Sequence, residues 1–83
     1  MMEPDRVREL IESALPDCTA VVIDNAGDKS HFMAEVTSPA FEGLSLIKQH
    51  KLVYGALEGL VGGDIHALAL KTYTPARWTT RGN

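Results

Sequence analysis

The chain has 83 residues, 45% of them hydrophobic, with a formal net charge of −3 and one cysteine. That length supports a single core that buries only ~60% of the unfolded chain's surface, so stability is modest and a partner or a second copy of the chain is a natural supplement. A lone cysteine excludes an intramolecular disulfide and a zinc site built from cysteines, and no run of ~18 apolar residues is present to span a membrane.

The charge is unevenly placed. Residues 1–43 carry nine acids against Arg6, Arg8 and Lys29, a net −6. Residues 44–83 carry Glu58 and Asp64 against Lys48, Lys51, Lys71, Arg77 and Arg81, a net +3. A basic half suits an acidic protein or a phosphate backbone, and equally a plain solvated face. The opening MMEPDRVREL has acids and no apolar h-region, so a cytoplasmic address is expected.

In EPDRVRELIESALP, Val7, Leu10, Ile11, Ala14 and Leu15 follow the spacing of one buried helical stripe. Pro4 and Asp5 suit the first turn, and Pro16 ends the helix. TAVVID, 19–24, is short and β-branched, which predicts a strand. NAGDKS, 25–30, has the residues of a reversing loop, and turn chemistry accounts for Asp24 and Asp28. HFMAEVT, 31–37, alternates: Phe32, Ala34 and Val36 share one face, His31, Met33, Glu35 and Thr37 the other. The two strands are expected to form an antiparallel hairpin.

SPAFEG, 38–43, is an irregular connector. From Ser45 to about Val61 the pattern is helical, with Leu46, Ile47, Val53, Leu57, Leu60 and Val61 near one stripe. Gly55 weakens its middle, and Gly62 and Gly63 are the expected stop. IHALALKTY, 65–73, predicts a third strand, though both of its faces are apolar enough to be buried. TPARW restarts a helix with Thr74 as N-cap and Pro75 in the first turn, and Trp78 is expected to pin that helix to the core. The reading is one α+β domain over 1–83, ordered α-β-β-α-β-α, with residues 1–3 and 79–83 frayed.

A crossover from the second strand to the third should be right-handed, and if the two are neighbours they run parallel. His31 then opens one strand and His66 the next, with strands ~4.8 Å apart, so both imidazoles share one rim. Cys18 falls at the opposite end of the hairpin, roughly 20 Å away by strand length, and reads as a half-buried small residue. Taken alone, a histidine at a strand's start is more commonly satisfied by a backbone group than bound to a metal. No nucleophile with a base at motif spacing, no phosphate loop and no paired carboxylates appear, so an enzyme is not expected.

SHF at 30–32, SPAFEG at 38–43, QHKLVYGAL at 49–57 and IHALALKTYTPARW at 65–78 together make a specific pattern. With the element order, the chain resembles the BolA family from Val7 to Trp78. The resemblance implies a fold related to type II KH domains, with a mixed three-stranded sheet and helices against one face. It also implies a partner, a monothiol glutaredoxin, and a [2Fe-2S] cluster shared with the glutaredoxin cysteine and glutathione. The family's C-terminal histidine is the usual ligand, and His66 occupies that position. A second ligand usually comes from the loop between the first two strands as a histidine or cysteine. NAGDKS has neither, and His31 is the nearest candidate.

Imidazole suits iron, and replacing thiolate by imidazole raises the potential of a [2Fe-2S] centre while making the bond easier to lose on protonation. The expected role is a non-enzymatic adaptor that receives, holds or delivers the cluster, or senses iron and redox state. The basic half supplies the expected partner-binding residues: Lys48, His50, Lys51 and Lys71. His50 taken by itself reads as a packing or polar-face residue rather than a ligand. The alternative is a KH-like regulator binding DNA. GLVG at 59–62 matches the KH loop string, but its position before a strand reads as a helix stop, and FEGLS, where that loop should lie, holds only Gly43.

Overall fold

The computed structural model describes residues 2–80. Helix α1 is Pro4–Ala14, strands β1 and β2 are Thr19–Asp24 and His31–Thr37, and a single 3₁₀ turn covers Pro39–Phe41. Helix α2 is Leu46–Ala56, β3 is Ala67–Tyr73 and α3 is Pro75–Thr80. The sheet order is β1-β2-β3, antiparallel between β1 and β2 and parallel between β2 and β3. This is the expected mixed three-stranded sheet in an α-β-β-α-β-α chain.

Alternation decides which face of the sheet is covered. Ala20, Phe32, Ala34 and Val36 are buried together with Val7 and Ile11 of α1, Phe41 of the 3₁₀ turn, Val53 of α2, Leu57 just past its end, and Ile65. Leu68 and Leu70 pack against this cluster from β3, which settles the face left open by the sequence. Thr72, in phase with them, donates through Oγ1 to Gln49 Oε1 of α2 at 2.6 Å. The opposite face carries Val21, Ile23, His31, Met33, Glu35, Ala67, Ala69 and Lys71, of which Val21 and Ile23 are each 44% exposed.

Val53, Leu57 and Leu60 of the expected stripe face the core, but helix α2 departs from its predicted length and, in its first turn, from the predicted inward residues. It ends at Ala56 rather than near Val61, because the Leu57 N–H turns back to Tyr54 O at 3.1 Å and Gly59 takes φ +81°. Residues 61–65 then close on themselves: Gly62 N–H donates to Ile65 O at 2.7 Å and Ile65 N–H to Leu60 O at 2.9 Å. Gly62 and Gly63 therefore shape this loop instead of stopping the helix.

Leu46 and Ile47, expected in the buried stripe, are 61% and 71% exposed, and Val61 is also exposed. The inward stripe is Gln49, Val53 and Leu57, at i, i+4 and i+8. Gln49 takes its first position by satisfying backbone groups: its Nε2 donates to Leu44 O at 2.9 Å while its Oε1 accepts from Thr72. A polar residue holding the core-facing phase turns Ile47 to solvent.

Within the described residues both chain ends make contacts with the rest of the fold or belong to an element. Met2 N–H donates to Lys29 O at 3.3 Å, Glu3 Oε1 lies 2.7 Å from Lys29 Nζ, and Thr79 and Thr80 belong to α3. Thr74 caps α3 as predicted, accepting from the Arg77 N–H at 3.3 Å, and the Trp78 ring meets Tyr73 edge-on at 5.3 Å. The expectation of fraying at residues 1 and 81–83, and the charge of Arg81, lie outside the described residues.

Candidate ligand rim

The rim is built by the hairpin loop and the start of β3. Gly27 at φ +74° and Lys29 at φ +57° reverse the chain, a left-handed conformation that Lys29 holds through its N–H to Asp24 Oδ2 at 2.9 Å. The Asn25 N–H donates to His31 O at 2.8 Å and closes the loop. The chain returning from α2 then docks on the loop's last residue, where Ser30 O accepts from the N–H groups of both His66 and Ala67, at 2.7 and 3.1 Å.

His66 thus stands one residue before β3 rather than opening it. That extra residue matters, because His31 is already paired across the sheet with Ala67. Hooked onto Ser30, His66 lies beside His31, with ring centroids 4.7 Å apart and planes inclined at 56°. The structure brings together the two histidines that the sequence placed on one rim. The His66 side chain is exposed and His31 is 41% exposed.

Asp28 organises this end of the loop. Its Oδ1 accepts from the backbone N–H groups of Ser30 and His31, both at 3.0 Å, and its Oδ2 lies 2.6 Å from His31 Nδ1. The Ser30 N–H bond, with the His31 side-chain and backbone bonds behind it, holds the Asp28 carboxyl down at about 2. The backbone bonds are the turn chemistry expected of this residue; the bond to the imidazole is additional. Its only trace in the sequence is the Asp-Lys-Ser-His spacing, which puts carboxylate and ring on neighbouring positions of a tight turn.

The other candidate residues divide. Lys71 lies on the open sheet face, two rows along from His31, in line with Glu35. Lys48 and Lys51 are exposed on α2, across the sheet from the open face. His50 is half-buried, with Nε2 enclosed and no hydrogen-bond partner there. The four basic-half residues do not form one surface, and only Lys71 shares the face of the histidines. Cys18 precedes β1 at the end where Thr19 pairs with Thr37, away from the rim, and burial followed by the charge of Glu12 pushes its thiol up to about 11. The string at 59–62 lies in the turn between α2 and β3, where Leu60 packs against the core.

Among the described residues no group of three or more His, Cys, Asp and Glu side chains is arranged to hold a metal ion. Two adjacent, solvent-accessible imidazoles could supply only part of a metal's ligand set, and imidazole is a suitable donor to iron. The rim thus offers two imidazole donors and no third ligating side chain among the described residues.

The sequence matches the family model described as BolA-like protein over residues 10–77. It is 48% identical over 52 residues to human BolA-like protein 1, a match covering 63% of this chain and 38% of that protein's length. It is 35% identical over 78 residues to the acid stress protein IbaG of Escherichia coli, covering 93% of this chain and 89% of that one. A solved structure of a bolA protein homologue from Coxiella burnetii superimposes with a TM-score of 0.81 at 39% identity, covering 95% of this chain and 99% of the other. A family match over most of the length, carried by the same fold, leads to one conclusion: the chain belongs to the BolA family.

Proposed function

We propose that this protein is a non-enzymatic adaptor that binds a monothiol glutaredoxin and co-ligates a [2Fe-2S] cluster, in cluster trafficking or in iron and redox sensing. Membership of the BolA family supports the reading. The observation that carries it is the His31–His66 pair, with centroids 4.7 Å apart on an exposed rim. Two imidazoles present part of a ligand set, and the partner's cysteine and glutathione complete it. His66 is the principal ligand and His31 the second, in place of the loop histidine or cysteine that NAGDKS lacks.

The surroundings of the pair suit this role. The His66 backbone is anchored to Ser30 O, so its exposed side chain can change partners without disturbing the sheet. Lys71 and the apolar residues of the open face adjoin the rim and form the surface that meets the glutaredoxin. When bound, the cluster supplies one-electron chemistry or cargo, and a histidine bond to it breaks more readily than a thiolate bond.

The test is titration of this protein into a [2Fe-2S]-loaded monothiol glutaredoxin, followed by visible circular dichroism. A new spectrum saturating at an equimolar ratio is expected, and His66→Ala should alter that spectrum while leaving the far-UV spectrum of the free protein unchanged. Absence of a complex would refute the adaptor reading. Identical visible spectra for His66→Ala and wild type would remove His66 from the ligand set.

A further inference from the structure

The two histidines of the rim are held very differently. Among the described residues His66 makes hydrogen bonds through its backbone and none through its ring. The His31 ring is bonded through Nδ1, to Asp28 Oδ2 at 2.6 Å, with Ser30 Oγ a weaker neighbour at 3.4 Å. Asp28 is in turn fixed by the two backbone N–H groups on its other oxygen.

We infer that Asp28 is the positioning residue of the rim: it holds the His31 ring through Nδ1–H and so presents Nε2 as the nitrogen with the free lone pair. The inference deepens the adaptor reading and rests on it for its consequence, though not for its geometry. An ionised carboxylate only accepts hydrogen bonds, so the nitrogen facing it carries the hydrogen. In the neutral ring the other nitrogen, Nε2, then has the lone pair a metal needs. A carboxylate behind the non-ligating nitrogen is how ligating histidines are commonly oriented and made more basic. Asp28 thus sets tautomer and ring orientation before any partner arrives, whereas His66 selects its own when it binds.

Asp28→Asn separates this role from loop support. Asn Oδ1 can still accept from Ser30 and His31 N–H, which turns the amide NH₂ toward Nδ1. A donor there requires Nδ1 to accept, which moves the ring hydrogen to Nε2 and blocks the ligating position. The measurement is a long-range ¹H–¹⁵N correlation on ¹⁵N-labelled protein without cluster at pH 8, where the two ring nitrogens of His31 report the tautomer directly.

Wild-type protein should show mainly Nδ1–H at His31, and Asp28→Asn mainly Nε2–H, with His66 unchanged in both. A wild-type ring that is mainly Nε2–H, or the same tautomer in both proteins, overturns the inference. The wild-type spectrum decides the first point even if the variant folds poorly. In the cluster-loaded complex, Asp28→Asn should lose cluster to a chelator about 10- to 100-fold more readily, the usual range for removing such a support. If the tautomer inverts but His31→Ala leaves cluster retention and visible spectrum unchanged, His31 is not a ligand and the adaptor reading fails there, while Asp28 still positions the ring. If the tautomer does not invert, the positioning role fails whatever the cluster does.

Discussion

Replacing Ser38 by alanine removes a hydroxyl that ties the exit of α1 to the 3₁₀ turn after β2. Ser38 is fully buried where β2 meets the 3₁₀ turn; its Oγ donates to Pro16 O at 2.7 Å and accepts from Ala40 N–H at 3.1 Å. Its own N–H donates to Tyr73 O at 3.1 Å, so the site joins the exit of α1, the end of β2 and the end of β3. Two hydrogen bonds are worth about 1 kcal/mol each net, and stranding a buried donor or acceptor costs about 1–3 kcal/mol. Pro16 is exposed and both bonds are only part-buried, so water can replace part of what the hydroxyl supplied and a loss of about 2 kcal/mol is expected. A chain of 83 residues has a total stability of about 4–12 kcal/mol, so this is a large share. At about 4–8 °C per kcal/mol, the midpoint should fall by about 8–16 °C in a thermal melt followed by far-UV circular dichroism. A fall equivalent to less than about 0.5 kcal/mol, the scale of ordinary surface changes, would show that the two bonds are not the ties described here.

Two other consequences can be checked on the isolated protein. Ile47→Ser should change stability by no more than about 0.5 kcal/mol because Ile47 is largely exposed, whereas Val53→Ala on the inward stripe should cost about 1–3 kcal/mol; urea midpoints in the reverse order would mean the phase of α2 is wrong. With its pKa raised to about 11, Cys18 holds about 100-fold less thiolate at pH 8 than a free cysteine, so alkylation by iodoacetamide should be slow and accelerate as the pH rises toward 11; reaction at the rate of an unfolded peptide would refute the burial and charge argument.

Elements written in local periodicity were legible before any tertiary structure. Pro4 and Pro16 bracket α1, and the alternation of His31 to Thr37 names the inward face of β2 correctly. Thr74 and Pro75 start α3 where a cap and a first-turn proline should. The meeting of His31 and His66 was also within reach, because a crossover between neighbouring parallel strands aligns their starts. Each of these depends on nearby residues or on a topological rule that chirality imposes.

The inward residue of α2's first turn was not legible, although Val53, Leu57 and Leu60 of the expected stripe do face the core. Apolar spacing favours Leu46 and Ile47, and only the backbone carbonyl of Leu44 and the hydroxyl of Thr72, brought in by other segments, make Gln49 the better inward residue. The division of the basic residues was hidden for a similar reason, since charge along a sequence does not say which side of a sheet each residue occupies. Lys71 and Lys48 share a half of the chain and face different surroundings. The bond from Asp28 to His31 needed the backbone of Gly27 and Lys29 to turn the loop back on itself. Sequence alone determined the elements, the family likeness and the chemistry available at the rim, because those follow from residue types and short-range order. The tertiary structure decided which groups satisfy one another, because a hydrogen bond depends on positions that distant segments hold in place.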